Sequence, residues 1–240
     1  MKSFQNLKSK FENIDWKNEE FQKNFLMTKD INIDENIKNI VNCILPYVTN
    51  YIGSLPVILS AGFWHSPNKE NQPGRSQSWH FDVEDKKQLK VLIPIEKISL
   101  SNGPLTVLPA EKSQFIFDKL YKSKKSKSKT NKINDDIIKP FKVDEVPLTG
   151  DEGDIIFCDT SRCYHYGSRK SSKPRKLIAL HFSSAFCIDV PFLFRKYDKS
   201  ENIYSRTQQL IYGLEDYYLP KLRNKLKNND KSAIKSIMFN

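Results

Sequence analysis

The chain has 240 residues, a formal net charge of +11 and 38% hydrophobic residues, with 15 Phe and 10 Tyr. That length and apolar content suit one folded domain with a real core, and runs such as Ile155-Ile156-Phe157-Cys158 are too short to span a bilayer. The positive charge invites a nucleic-acid partner, but the excess is largely Lys spread among Ile and Asn, so nucleic acid is not the expected partner.

Residues 1–33 place Phe11, Trp16, Phe21 and Phe25 at loose helical spacing. Asp34 then caps a clearer helix whose Ile37, Ile40, Val41, Ile44, Leu45 and Val48 form one apolar stripe, with Pro46 as a kink and Gly53 as the stop. Leu55 to Trp64 is apolar and β-branched enough for a buried strand, residues 66–74 form a loop, and His65 reads as a loop residue with no assigned role. Gln77-Ser78-Trp79-His80-Phe81-Asp82 reads as the start of the next strand. In an extended segment His80 and Asp82 share one face, while Trp79 and Phe81 take the other and pack.

Leu89 to Ile95 is a further strand, and the turn Ser101-Asn102-Gly103-Pro104 leads into another at Leu105–Pro109. Residues 111–147 read as an insertion with a helix around Gln114–Tyr121. Its Lys/Ser run over 122–129 is expected to be a solvated loop rather than a substrate-closing lid. Gly150–Gly153 turns into a strand at Asp154–Asp159, His165 follows it, and Arg175–Ser183 and Cys187–Val190 are further strands. From Glu201 onwards the pattern is helical until Pro220.

Many short strands with Gly/Pro turns and helices at both ends predict a mainly β, α+β jelly roll in a single domain. Residues 1–53 are its helical support, 54–190 its core with the insertion at 111–147, and 191–240 a C-terminal helical segment.

Four cysteines (Cys43, Cys158, Cys163, Cys187) make no disulfide framework at this size and suit a reducing cytoplasm. The N-terminal residues show no apolar stretch of the secretory kind, so the expectation is a cytoplasmic protein. Cys158, Cys163 and His165 could belong to a zinc site, but no fourth ligand lies at a suitable spacing.

The chemistry centres on His80 and Asp82. An imidazole and a carboxylate side by side make two-thirds of the facial triad that holds non-haem Fe(II), and His165 is the distant candidate to complete it. Such a triad leaves positions for a 2-oxo acid and for dioxygen. The far carboxylate of the oxo acid then needs a cation, and Arg175, opening the strand after His165, offers a rigid fork. The His-x-Asp triplet alone is weak, because such a pair can merely hydrogen-bond to itself.

The order of motifs is stronger. Trp79-His80-Phe81-Asp82, Asn102-Gly103-Pro104-Leu105-Thr106-Val107-Leu108-Pro109, Gly153-Asp154-Ile155-Ile156-Phe157, His165 and Arg175-Lys176-Leu177-Ile178-Ala179-Leu180-His181-Phe182 together resemble the phytanoyl-CoA dioxygenase family. The resemblance runs over residues 55–190. It implies a cupin-like double-stranded β-helix and an oxygenase dependent on Fe(II), 2-oxoglutarate and dioxygen. By that resemblance His80, Asp82 and His165 are the iron ligands, Arg175 anchors 2-oxoglutarate, and Ser168 is a second cosubstrate contact. Tyr166 stands before Gly167-Ser168, where the family places Gly and Ser close after the histidine. Relatives that halogenate carry a small residue where this chain has Asp82, so the resemblance implies hydroxylation.

Two more residues matter by strand parity. Lys90 alternates with Leu92 and Pro94, and an inward face would bring its ammonium near the cosubstrate; an exposed lysine is the competing reading. His181 shares parity with Arg175, and either core hydrogen bonds or substrate contact would satisfy it.

The leading expectation is thus a hydroxylase of a small organic molecule, with specificity carried by residues 66–78 and 111–147. A non-catalytic jelly roll that binds metal or ligand is the alternative. An oxidative nucleic-acid demethylase, suggested by the charge and by Arg169 with Arg175, is the third.

Overall fold

A computed structural model describes residues 2–17, 26–67, 77–121, 132–169, 171–184 and 205–212. The described elements are mixed α+β and form two five-stranded antiparallel sheets. The first has the order β1-β2-β10-β4-β8, from Met27–Asp30, Pro56–Ser66, Arg175–Ser184, Gln88–Pro94 and Ile156–Cys158. The second has the order β6-β3-β9-β5-β7, from Lys132–Ile133, Trp79–His80, His165–Tyr166, Thr106–Val107 and Val146–Pro147.

Strand β10 is the spine of the first sheet, since it pairs with β2 on one side and β4 on the other. Its even residues Ile178, Leu180 and Phe182 pack with Phe63 of β2 and Val91 and Ile93 of β4 in the main core. Two helices cover that face, α1 (Lys2–Glu12) and α2 (Glu35–Ile52). Helix α1 buries Phe4, Leu7 and Phe11, which recur at helical spacing. Helix α2 begins where the Asp34 carboxylate accepts from Asn36 N at 3.0 Å and Ile37 N at 3.1 Å. It ends at Gly53, whose φ of 82° a side chain would resist.

The opposite face of β10 carries Arg175, Leu177, Ala179 and His181. Leu177 and Ala179 cluster there with Leu92, Trp64 and Leu105. This face also holds the buried polar side chains of Arg175 and His181.

Several expectations need correction. Residues 1–53 are not helical throughout, because Met27–Asp30 forms β1 against β2, with Met27 opposite His65. The free edge of β2 has backbone donors and acceptors to satisfy, and an adjacent extended segment meets them. β2 itself runs on to Ser66, so His65 is a strand residue whose ring lies against Trp16 and Phe11. The strand at residues 77–82 keeps only Trp79–His80; beyond it Asp82 N donates to Thr160 O at 3.0 Å. The strand at Leu105–Pro109 keeps only Thr106–Val107, since Pro104 and Pro109 have no N–H to offer a ladder.

The insertion is built into the fold. Its residues supply α3 (Ala110–Tyr121), α4 (Asp135–Ile138) and both outer strands of the second sheet, β6 and β7. Ile116, Ile133 and Ile138 bury against Trp79, Leu108 and Tyr164 on the sheet's outer side. The Lys/Ser run and the strand expected at Cys187–Val190 lie outside the described residues. Of the C-terminal helical segment, α5 (Arg206–Ile211) is described, capped by Ser205. Among the described residues no helix is long and apolar enough to cross a membrane.

Candidate metal centre

Strands β3 and β9 pair with His80 directly opposite His165, which brings the two rings to 4.2 Å between centroids. Asp82 reaches the same point from the segment that follows β3. Its Oδ1 lies 3.7 Å from His80 Nε2 and 3.7 Å from His165 Nε2. One ligand atom from each of the three residues lies within 4.8 Å of the others, and no other group of this kind occurs among the described residues.

The hydrogen bonds decide what these atoms can do. His80 Nδ1 sits 2.7 Å from the Ser78 carbonyl, and His165 Nδ1 sits 3.0 Å from the Cys163 carbonyl. A carbonyl only accepts, so each Nδ1 carries the proton and donates. Both Nε2 atoms are thereby left facing the same carboxylate oxygen. Burial pushes His165 down to about 4, so its ring is neutral at ordinary pH. Two imidazole Nε2 atoms and a carboxylate oxygen converge on one point, which is the donor set of a divalent cation.

Burial alone would raise the Asp82 carboxyl, but the Lys90 ammonium, His165 and the Thr160 hydroxyl outweigh it and hold it well below the usual range. Lys90 stands on β4 between His181 and Cys158 of the flanking strands. It faces inward, pairs through Nζ with Asp82 Oδ2, and lies 5.7 Å from the Trp64 ring centre.

Arg175 opens β10 opposite Ser66 and is 4% exposed. Its Nη1 donates to Gly103 O at 2.9 Å and its Nη2 to Ser66 Oγ at 3.2 Å, while Nε has no partner. Among the described residues no carboxylate pairs with it. Burial draws it down only to about 10, so it is a charged group held inside the protein. Gly167 packs close to the guanidinium, since a Cβ there would stand 3.3 Å from Nη2.

Ser168 is buried in the adjoining turn with a φ of 54°, and its carbonyl accepts from Gln77 Nε2 at 2.9 Å. It lies beside the Arg175 acceptor, since a Cβ on Gly103 would come within 3.0 Å of Ser168 Cα. Arg169, by contrast, is committed elsewhere. It forms a two-pronged pair with Asp135 at 2.9 and 3.1 Å and stacks over Tyr166. The cysteines do not join the cluster. Burial pushes the Cys158 thiol up to about 12 and Cys163 up to about 11, so neither is a ready thiolate.

His181 is satisfied by the core, with Nε2 at 3.0 Å from Gln88 Oε1. Burial, then the nearby Lys90 charge, pushes it down to about 3, against the pull of Asp82. An unfolded histidine binds its proton near pH 6.5. Between those values the unfolded chain holds more protons, so stability falls as pH drops from about 6.5 towards 3. His165 adds to the same slope. His181→Gln, whose amide can still donate to Gln88, should therefore flatten the fall in urea midpoint over this range. An unchanged slope would assign it to other groups.

Sequence reasoning missed Gln88, Thr160 and Ser66 as parts of this site. Gln88 had a signal, a polar residue at the inward parity of Lys90; Thr160 and Ser66 had none.

No family model matches the sequence, and no curated protein matches it. Solved structures do. HygX from Streptomyces hygroscopicus, with nickel and 2-oxoglutarate bound, aligns over 82% of this chain and 82% of its own at a TM-score of 0.53 and 13% identity. EvdMO1 aligns over 76% of this chain and 44% of its own, at a TM-score of 0.52 and 14% identity. The epimerase SnoN, in complex with Fe3+, alpha ketoglutarate and nogalamycin RO, aligns over 67% of this chain at a TM-score of 0.49 and 14% identity. The chain spans 64% of the length of SnoN. At these identities the likeness is one of fold.

Proposed function

We propose that this chain is a non-haem Fe(II) enzyme that uses 2-oxoglutarate and dioxygen to hydroxylate a small organic molecule. On this reading the two sheets face each other as a double-stranded β-helix within one domain. One observation carries it: two Nε2 atoms and a carboxylate oxygen converge at one point, and a buried guanidinium has no carboxylate partner among the described residues. The first asks for a cation and the second for an anion, and Fe(II) with a 2-oxo diacid answers both. The fold shared with HygX, whose structure holds nickel and 2-oxoglutarate, supports the reading. So does the resemblance of the motifs to the phytanoyl-CoA dioxygenase family.

His80 and His165 would hold the ion through Nε2 and Asp82 through Oδ1, each imidazole aimed by its Nδ1 bond to a backbone carbonyl. When bound, Fe(II) supplies the oxygen activation that couples decarboxylation of 2-oxoglutarate, to succinate and carbon dioxide, with insertion of oxygen into a C–H bond. Arg175 takes the far carboxylate with its fork, and Ser168 flanks it as a second contact. Lys90 stands beside the metal ligands, where it can neutralise the oxo-acid end of the same molecule. Leu92, Leu177 and Ala179, with Trp64 packed against them, form an apolar cluster on the same face of β10 as Arg175.

The test is succinate formation by the full chain with Fe(II), 2-oxoglutarate and air, where slow uncoupled turnover is expected even without a substrate. Metal binding without any succinate would favour the non-catalytic module. Neither metal binding nor succinate would overturn the reading.

A further inference from the structure

We infer that Arg169 and Gln77 form a reciprocal clasp that continues the pairing of β3 with β9 and sets the spacing of His80 and His165. The inference rests on the metal reading above and adds two positioning residues to it.

The two imidazoles stand on strands too short to hold each other in place. β3 and β9 are two residues each and pair with one another at a single described position, His80 opposite His165. Their outer neighbours, β6 and β5, hold each from the far side but do not join the two. Two strands joined at one position are a marginal unit, whereas metal ligands must keep their geometry to about 0.5 Å. Side chains supply the missing support where the ladder stops. One residue outward in the same antiparallel register, Trp79 meets Tyr166 edge to face, with ring centres 4.6 Å apart. Further out, the register sets Gln77 opposite Ser168, and there the clasp begins.

Gln77 is 3% exposed, and its Nε2 donates to Ser168 O at 2.9 Å. Arg169 returns the bond, with its Nε donating to Gln77 O. Each side chain therefore grips the backbone of the opposite segment, and neither segment can move away without breaking both bonds. Ser168 has a φ of 54°, a conformation that residues with side chains rarely adopt, so the turn after β9 needs such an anchor.

Arginine suits this place better than lysine. The guanidinium carbon lies 4.2 Å from the Tyr166 ring centre, while Nη1 and Nη2 form the two-pronged pair with Asp135. Nε, the fork and the planar face are all in use, and an ammonium offers only a point charge. The Asp135 side chain is 57% exposed, so water and salt weaken that pair. Asp135 orients the guanidinium, and the bond to Gln77 O does the bridging.

The test is nickel affinity of the full chain by calorimetry, without cosubstrate, beside urea midpoints of the metal-free chain. Arg169→Met keeps a stem over Tyr166 and removes the donor; Gln77→Met removes the amide at similar length. Each should weaken nickel binding by about 10-fold or more, the usual effect of losing groups that aim a metal ligand. Arg169→Lys should behave like Arg169→Met. Asp135→Asn keeps an acceptor for the fork and should stay within roughly 3-fold of wild type. The two Met substitutions combined should cost less than the product of their separate losses, because both bonds span the same gap. A clasp that sets spacing also leaves a mark at saturation. In the chain filled with cobalt(II), the Nδ1 protons of the two ligating imidazoles give strongly shifted NMR signals, and Arg169→Met should displace at least one. A substitution that only lowered stability would move the urea midpoint and leave those signals as in wild type. Should Arg169→Met fail to fold, Gln77→Met answers the same question by the same measurements. Nickel affinity within about 2-fold of wild type in the folded Met variants, an unchanged cobalt pattern, or an Asp135→Asn loss equal to that of Arg169→Met would overturn the clasp and leave the metal reading intact. A wild-type chain that binds no nickel would overturn both.

Discussion

Asp82→Ala should lose tight nickel binding and all succinate formation above background. The loss should exceed the roughly 10- to 100-fold typical of groups that only support a ligand, because it removes the one anionic donor of the set. A second effect is separable from the first. Asp82 is the carboxylate paired with the Lys90 ammonium, and their side chains are 11% and 15% exposed. Removing one partner of such a pair leaves a charge inside the protein, at a cost of about 3 kcal/mol or more in the metal-free chain. Urea unfolding of the apo protein at neutral pH measures that term, and calorimetry with nickel measures the other. Asp82→Ala combined with Lys90→Met should regain most of the stability and none of the metal affinity. If the double variant stays as unstable as the single, the ion pair is not the source of the loss.

The parts of this site that were legible from the amino-acid order are those carried by long strands. β10 runs from Arg175 to Ser184 without interruption at its inward end, so parity alone puts Arg175 and His181 on one face. Lys90 follows by the same rule on β4, and the structure gives it a carboxylate partner rather than solvent. His80 and Asp82 do meet, although β3 is only two residues long; Asp82 lies beyond its end, with its backbone N–H donating to Thr160 O.

Where elements are that short, periodicity has nothing to act on. β6 and β7 are two residues each and were hidden inside what read as an insertion. β1 shows one buried residue followed by three exposed ones, a pattern set by the edge it joins rather than by its own side chains. Thr160, Gln88 and Ser66 acquire their partners across 72, 93 and 109 residues of chain, through registers that no local pattern encodes.

Arg175→Met should weaken 2-oxoglutarate binding to the nickel-loaded chain by about 100-fold or more, and yet leave the ligand-free chain at least as stable as wild type. The two halves of this expectation have one origin. A guanidinium 4% exposed has given up its water, and in exchange it holds one backbone carbonyl, one hydroxyl and nothing at Nε. That leaves the free protein carrying a desolvated charge, which an apolar side chain of similar length relieves. The lost bond to Gly103 O offsets part of the gain, by about 1 kcal/mol. In the complex the balance reverses, because the carboxylate then meets no cation in a dry interior. Truncating one partner of a buried charged pair typically costs about 2–5 kcal/mol, or roughly 30- to several-thousand-fold in affinity. Arg175→Lys should recover little of it, since an ammonium offers no planar fork and cannot span Gly103 O and Ser66 Oγ together. Calorimetry with 2-oxoglutarate and urea midpoints of the apo chain test the two halves separately. Unchanged cosubstrate affinity, or a stability loss as large as a core truncation, would make Arg175 a structural residue and remove the anion site from the proposed mechanism.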